Sequence, residues 1–332
     1  MERLARRVRR TFVFFAGLLM VAAVGGAAYQ WFMSRYDLAE TPPPGRLIDV
    51  GGHRLHIWCM GSAEPGTPAV LFDSGLGGGA FDWVDVAPEV AKFTQSCTYD
   101  RAGMGYSDPG PTPRTSGQIA DELAALILSS EIARPVILVG LSFGGFNTRI
   151  VASEHPDLVA GLVLVSASHE NQGERYEAAG VPSGRPPDLV LKIGPVAASL
   201  GILRLMKVTL GAPPEQADPS VREYALASAY RTDRFYAMAS ELEHTRESGA
   251  QVAAARRELD MPLVVISPSN ETGARADINR ELQADMVTLS TRACQVVAGQ
   301  SGHGISNEPE LVVQAIRDVI TAAEAEDLKP GC

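Results

Sequence analysis

The sequence predicts an α/β fold: a mostly parallel eight-stranded sheet with helices on both faces and an α-helical cap, preceded by an N-terminal transmembrane helix. Three observations predict it. From residue 69 onward, short apolar runs bounded by Gly, Pro and charged residues alternate with amphipathic stretches. That is the pattern of parallel strands joined by crossover helices. The alternation lapses over residues 169–258, which are rich in Ala, Pro and Arg and read as a helical lid inserted between two strands. Ahead of all this, residues 11–33 carry no charged side chain.

At the N-terminus, Arg3, Arg6, Arg7, Arg9 and Arg10 form a basic segment over residues 1–10. The uncharged run that follows is long enough to cross a bilayer as a helix. Tyr29, Trp31 and Phe32 gather at its far end, where interfacial aromatics are expected. Positive charge on the near side predicts that the rest of the chain lies outside the cytoplasm, periplasmic or extracellular. Gly26 and Ala28 form a small-x-small pattern, so a cleaved signal peptide competes with an anchor; the length of the run favours the anchor. Residues 34–45, with Pro42-Pro43-Pro44, read as a stiff linker. The core is expected over 46–168 and 259–332. A net charge of −10, with no basic stripe in the body, argues against a nucleic-acid partner.

Within the body, residues 47–50 and 54–58 read as a hairpin around Gly51-Gly52. Residues 69–72, 96–100, 136–139, 162–165, 263–266 and 295–298 read as strands. Helices are predicted over 81–92, 116–130, 146–155, 277–290 and 309–324, and in the lid over 188–210, 219–238 and 239–257. Over 116–130, Ile119, Leu123, Leu126 and Ile127 fall on one helical face.

The chemistry concentrates at Gly140-Leu141-Ser142-Phe143-Gly144, directly after the apolar strand 136–139. A buried strand running through Gly-x-Ser-x-Gly into a helix is a nucleophile elbow, a turn so tight that glycines must flank it. Ser142 is therefore the candidate nucleophile, and the Phe143 N–H points where an oxyanion would form. A serine needs a base to take its proton. His303, in Ser301-Gly302-His303-Gly304 after the last strand, lies on the same rim as the elbow. His53 and His56 are three apart on a strand and face opposite sides. His155 precedes Pro156 at a helix end, and His169 and His244 lie in or beside the lid. A carboxylate should orient His303. Glu271, in the loop after strand 263–266, is the first candidate; Asp277 and Glu170 are the alternatives. The glycine-rich turn Gly75 to Gly79 should supply the second oxyanion donor, Leu76 N–H. It lacks the Lys-Ser/Thr that follows a phosphate-binding loop. No group of ligands has metal spacing in the sequence, so neither metal nor organic cofactor is expected.

Together these residues resemble the α/β-hydrolase family. Besides the elbow, Tyr99-Asp100-Arg101-Ala102-Gly103-Met104-Gly105-Tyr106-Ser107-Asp108 is similar to the turn after that family's fourth strand. Ser301-Gly302-His303 followed by Asn307-Glu308-Pro309-Glu310 is similar to its histidine loop and closing helix. The resemblance spans roughly 46–327, with the cap at about 169–258. The sequence departs from the family at two places. Ser74-Gly75 stands where the family usually has His-Gly. Pro268-Ser269-Asn270-Glu271 stands where it more often places Asp. At the other place where the family carries an acid, after strand 162–165, this chain has Ser166. The family's topology implies two disulfides, Cys59–Cys97 and Cys294–Cys332, of the kind a compartment outside the cytosol permits.

The resemblance implies a carboxylesterase-like serine hydrolase that cleaves an ester of a small-molecule acyl substrate through an acyl-enzyme, and the N-terminal segment adds a membrane anchor. An aminopeptidase or amidase of the same fold is the alternative. Serine rather than aspartate at the elbow argues against haloalkane and epoxide chemistry. A non-catalytic binding protein and a structural membrane partner are the readings from other classes.

Overall fold

A computed structural model of the protein describes residues 2–209, 219–299, 301–303, 308–325 and 328–332. Leu210, Gly304 and Asn307, which figured in the sequence reading, lie outside them. Eight strands form one sheet: β1 (Arg46–Asp49), β2 (Arg54–Met60), β3 (Val70–Asp73), β4 (Ser96–Tyr99), β5 (Val136–Leu141), β6 (Val159–Val165), β7 (Leu263–Ser267) and β8 (Ala293–Val297). Their order is β1-β2-β4-β3-β5-β6-β7-β8. β2 is antiparallel to both β1 and β4, and every later pairing is parallel. The central strands are apolar on both faces because helices cover both.

The chain begins with α1 (Glu2–Glu40). Between the strands lie α2 (Ala87–Val90), α3 (Ser116–Ser129) and α4 (Gly144–Glu154). The cap comprises α5 (Gln172–Ala178), α6 (Asp188–Ser199), α7 (Ile202–Leu205), α8 (Pro219–Ala229), α9 (Thr232–Glu243) and α10 (Thr245–Ala255). α11 (Ala274–Val287) and α12 (Pro309–Ala323) complete the fold. On one side of the sheet, Ile119, Leu123 and Leu126 of α3 pack with Phe146 and Ile150 of α4 against Leu71, Leu138 and Leu164. On the other, Val312, Ile316 and Val319 of α12 cover Ile137, Val163 and Val264.

Four expectations need correction. The two cap helices expected over 219–238 and 239–257 are three, α8 to α10, with breaks after Ala229 and Glu243. The linker 34–45 is helical over its first half, because α1 continues to Glu40. The single helix expected over 81–92 is a 3₁₀ turn, Ala80–Trp83, followed by α2. Pro88 has no N–H for the carbonyl of Val84 and its ring would clash there, so a new helix starts at Ala87 instead. In the cap, the helix expected over 188–210 ends at Ser199, and Gly201 turns left-handed (φ 71°) before α7. Both disulfides form. Cys59 and Cys97 are register partners across β2 and β4, with Cα atoms 4.0 Å apart, and Cys294 and Cys332 are joined with Cα atoms 6.1 Å apart.

Candidate active site

β5 delivers Ser142 to the C-terminal rim of the sheet, and the turn into α4 is as tight as its glycines predict. A methyl group on Gly144 would come within 2.4 Å of the Asp73 carbonyl oxygen. Ser142 itself sits at φ 49°, in the left-handed region that costs a non-glycine residue about 1 kcal/mol or more. Neighbouring strand ends fix this conformation: Ser142 N–H donates to the Val165 carbonyl at 3.1 Å, and Ser168 N–H donates to the Ser142 carbonyl at 2.8 Å. The cost is met by packing, and it leaves Oγ projecting from the rim.

His303 meets that hydroxyl. Its Nε2 lies 2.8 Å from Ser142 Oγ, and its Nδ1 lies 2.8 Å from Ser166 Oγ. With the ring proton on Nδ1, the imidazole donates to Ser166 and accepts from Ser142, the tautomer a general base requires. The loop bearing His303 is tied to the one after β7: the N–H groups of Ser269 and Asn270 both donate to the Ser301 carbonyl at 3.2 Å. Burial among these loops lowers the His303 pKa below its ordinary value of 6.5; the charge of Glu271 opposes this shift and that of Arg275 adds to it.

The group on Nδ1 is a correction to the sequence reading. Glu271 makes no hydrogen bond to His303. Its carboxylate accepts from Asn279 Nδ2 at 2.8 Å, and it reaches the imidazole only through its charge. The loop after β7 leads directly into α11, which holds Glu271 on its own side. Asp277 is exposed on α11 and pairs with Arg280. Glu170 is buried between Arg149 and Arg256, at 2.8 and 2.7 Å. Burial resists its ionisation, but the hydrogen bond and charge of Arg149 bring its pKa to about 2. Ser166 occupies the place instead because β6 ends beside β5. It too is left-handed, at φ 44°, with its N–H donating to the Ile266 carbonyl at 2.8 Å. Two of the three described non-glycine residues with positive φ therefore flank the imidazole.

The glycine-rich turn expected to carry Leu76 lies beside Ser142. A Cβ on Gly75 would stand 3.6 Å from Ser142 Cβ, so the glycine turn runs alongside Ser142. Neither Leu76 N–H nor Phe143 N–H donates to a protein acceptor among the described residues. What holds the turn was not anticipated. Arg101, 1% exposed, donates to the Ser74 and Gly75 carbonyls at 2.7 Å, to Asp73 at 2.7 Å, and to both oxygens of Glu241 on α9. Glu241 in turn accepts from Gly77 N–H at 3.0 Å, and Arg234 of the same helix donates to the Gly77 carbonyl. Burial disfavours the Arg101 charge, but Glu241 and Asp73 outweigh it and hold the guanidinium well above its ordinary range. Met238 packs over Gly77. The cap thus clamps the oxyanion turn through α9. Arg101 stood inside the motif after the fourth strand, but Glu241 had no sequence signal.

Two of the other histidines pair with carboxylates. His56 is buried against Asp100, which also accepts from the Ala80 and Tyr106 N–H groups. His169 pairs with Asp285. Folding does bring together one group with metal-binding donors among the described residues: Asp121, Glu154 and His155, with ligand atoms within 4.8 Å of one another. It lies on the surface, at the opposite end of α4 from Ser142.

The profile of the alpha/beta hydrolase family matches residues 70–315, and the chain belongs to that family. An AB hydrolase superfamily protein of Gibberella zeae is 24% identical over 77% of this chain and 87% of its own length. An uncharacterized vacuolar membrane protein of Saccharomyces cerevisiae is 32% identical over 36% of this chain, but that match spans only 21% of the yeast protein. Among solved structures, a protein of Acinetobacter baumannii provisionally assigned as a lipase superposes with a TM-score of 0.61, covering 90% of this chain and 97% of that one at 16% identity. The epoxide hydrolase CorEH superposes at 0.57, with 20% identity over 83% of this chain and 98% of that one. These likenesses establish the fold.

Proposed function

We propose that the protein is a membrane-anchored serine hydrolase that cleaves a carboxylic ester through an acyl-enzyme. The observation that carries this reading is the 2.8 Å contact between Ser142 Oγ and His303 Nε2 at a strained elbow, beside two amides with no protein acceptor among the described residues. His303 takes the Ser142 proton as Oγ adds to the acyl carbonyl. Leu76 and Phe143 N–H groups receive the tetrahedral oxyanion. The imidazolium then gives its proton to the departing alcohol. In the second half-reaction His303 deprotonates water, which releases the acid. Neither half-reaction calls on a cofactor. Amides and carbamates pass through the same intermediate, so amidase or aminopeptidase activity is the variant reading of this site. Membrane attachment rests on α1, whose apolar window is wholly unburied and has a mean hydropathy of 2.1.

A non-catalytic binding role is favoured by one observation: a hydroxyl, not a carboxylate, contacts Nδ1. Labelling with a fluorophosphonate probe decides between them. The wild type should label, and Ser142→Ala and His303→Ala should not. A folded wild type that stays unlabelled would leave the binding role standing.

The burial of His303 also sets a pH dependence. A base works when neutral, and the His303 pKa is lowered by burial. The rising limb of kcat/KM should therefore have its midpoint below pH 6.5. Ser166→Asp would place a charge on Nδ1, favour the imidazolium, and move that limb upward by about one unit or more. A limb that stays put in a folded Ser166→Asp protein would mean that Ser166 does not touch the ring in solution.

A further inference from the structure

The anchor does not stop at the edge of the cap; it packs into it. Gly26 of α1 lies directly against the Leu200–Gly201 corner between α6 and α7, so closely that a Cβ on Gly26 would meet the Leu200 carbonyl oxygen. Further along, the contact becomes polar. Arg204 of α7 donates to Gln30 at 3.0 Å and to Asp37 at 2.6 Å, and Gln30 donates to the Tyr230 carbonyl at 2.5 Å. The change follows the sequence of α1, whose uncharged run ends at Met33. From Gly26 to Met33 a helix rises about 10 Å. A bilayer that holds residues 11–33 therefore also holds the cap corner, about 10 Å below the level of Met33 if α1 stands upright.

The surface of that corner suits such a place. Along α6, Leu191, Pro195 and Ala198 are buried in the cap. The opposite face, at i, i+4 and i+7 spacing, carries Leu189, Ile193 and Val196, each at least half exposed. Val190 beside them and Leu205 and Met206 at the end of α7 are equally open. A helix apolar on both faces belongs in a core or in lipid rather than at a water-exposed surface. Lys192 and Lys207, both exposed, flank the patch with stems long enough to bring their charges to headgroups. The inner side of the same layer is α9, which bears Met238 and Glu241 against the oxyanion turn and packs directly on α6.

We propose that the outer face of α6 and α7 is immersed in the leaflet through which α1 leaves the membrane, and that the site takes acyl esters dissolved in that leaflet. The inference rests on the anchored-hydrolase reading above and adds to it a docking surface and a substrate class. A lipid surface is the committed occupant because the patch is joined to α1 at a depth the bilayer already occupies.

The test uses the full chain in phosphatidylcholine vesicles. All four cysteines are in disulfides, so Ile193→Cys can carry a single environment-sensitive fluorophore. Asp157→Cys, on the opposite rim of the sheet from the cap, is the control. The Ile193 probe should be blue-shifted and quenched by phospholipids bearing a nitroxide near the top of the acyl chain; the Asp157 probe should be neither. A water-like Ile193 probe on vesicle-bound protein would overturn the inference and leave the anchor intact. A shielded probe that lipid nitroxides do not quench would overturn it in favour of a second copy of the chain. Protein that fails to float with vesicles would remove the anchor as well, while fluorophosphonate labelling of Ser142 would still report on the hydrolase. For the substrate class, Leu189→Ser/Ile193→Ser/Val196→Ser should lower turnover of a long-chain 4-methylumbelliferyl ester in vesicles about tenfold. The same variant should hydrolyse the water-soluble acetate within about twofold of wild type. An equal fall on both substrates, or on neither, would overturn the claim that substrate arrives from the leaflet.

Discussion

Ser142→Ala should reduce kcat for the best ester found by about 10⁵-fold, and His303→Ala should come within about tenfold of it. The two groups form one device, joined at 2.8 Å, so the double variant should be scarcely worse than either single one. What remains would reflect binding and the Leu76 and Phe143 amides, which neither substitution touches. Stability separates chemistry from folding here. Alanine at position 142 inherits the same left-handed backbone at φ 49°, so Ser142→Ala should unfold close to the wild type. Glycine adopts that backbone freely, so Ser142→Gly should be as inactive and up to about 1 kcal/mol more stable. Turnover and urea unfolding of the three proteins check this. An active Ser142→Gly protein would show that the hydrolysis comes from elsewhere.

Much of this device was legible because its parts are local. A tight strand-to-helix turn needs glycines, and Gly140 and Gly144 announced Ser142. A loop after the last strand must open on the same rim, which placed His303. The central strands β3, β5, β6 and β7 were legible for a related reason: strands buried on both faces must be almost continuously apolar. The cap was harder to read. Between residues 219 and 257 the only glycine is Gly249, which lies inside α10, and there is no proline after Pro219. The breaks after Ala229 and Glu243 are therefore set by packing, not by local breaker residues. The group on Nδ1 was missed for a chemical reason. Ser166 stands at the place where an acid is expected but is not an acid, while the nearest loop carboxylate, Glu271, is held away by its bond to Asn279 on α11. The contact of α1 with Arg204 was invisible because an uncharged run of residues 11–33 says nothing about what it touches.

Arg101→Met should destabilise the protein by about 3–5 kcal/mol. The loss is not the worth of an ion pair. Removing the guanidinium strands the Asp73 and Glu241 carboxylates, 1% and 0% exposed, with their desolvation uncompensated. It also leaves the Ser74 and Gly75 carbonyls without their donor. Adding Glu241→Gln to Arg101→Met removes one stranded charge and keeps the shape, so the double variant should recover part of the loss. In the wild-type background Glu241→Gln should be costly on its own, because Arg101 would then lose one of its two carboxylates. The opposite signs follow from burial, and independent surface charges would add without changing sign. Activity supplies a second reading. Arg101 and Glu241 hold the turn that carries Leu76 N–H, so at denaturant-free, low temperature, where Arg101→Met remains folded, kcat should still fall about 10²-fold with little change in KM. A fall confined to KM would place Arg101 in substrate binding; full activity in the folded variant would show that the oxyanion turn holds its shape without the clamp.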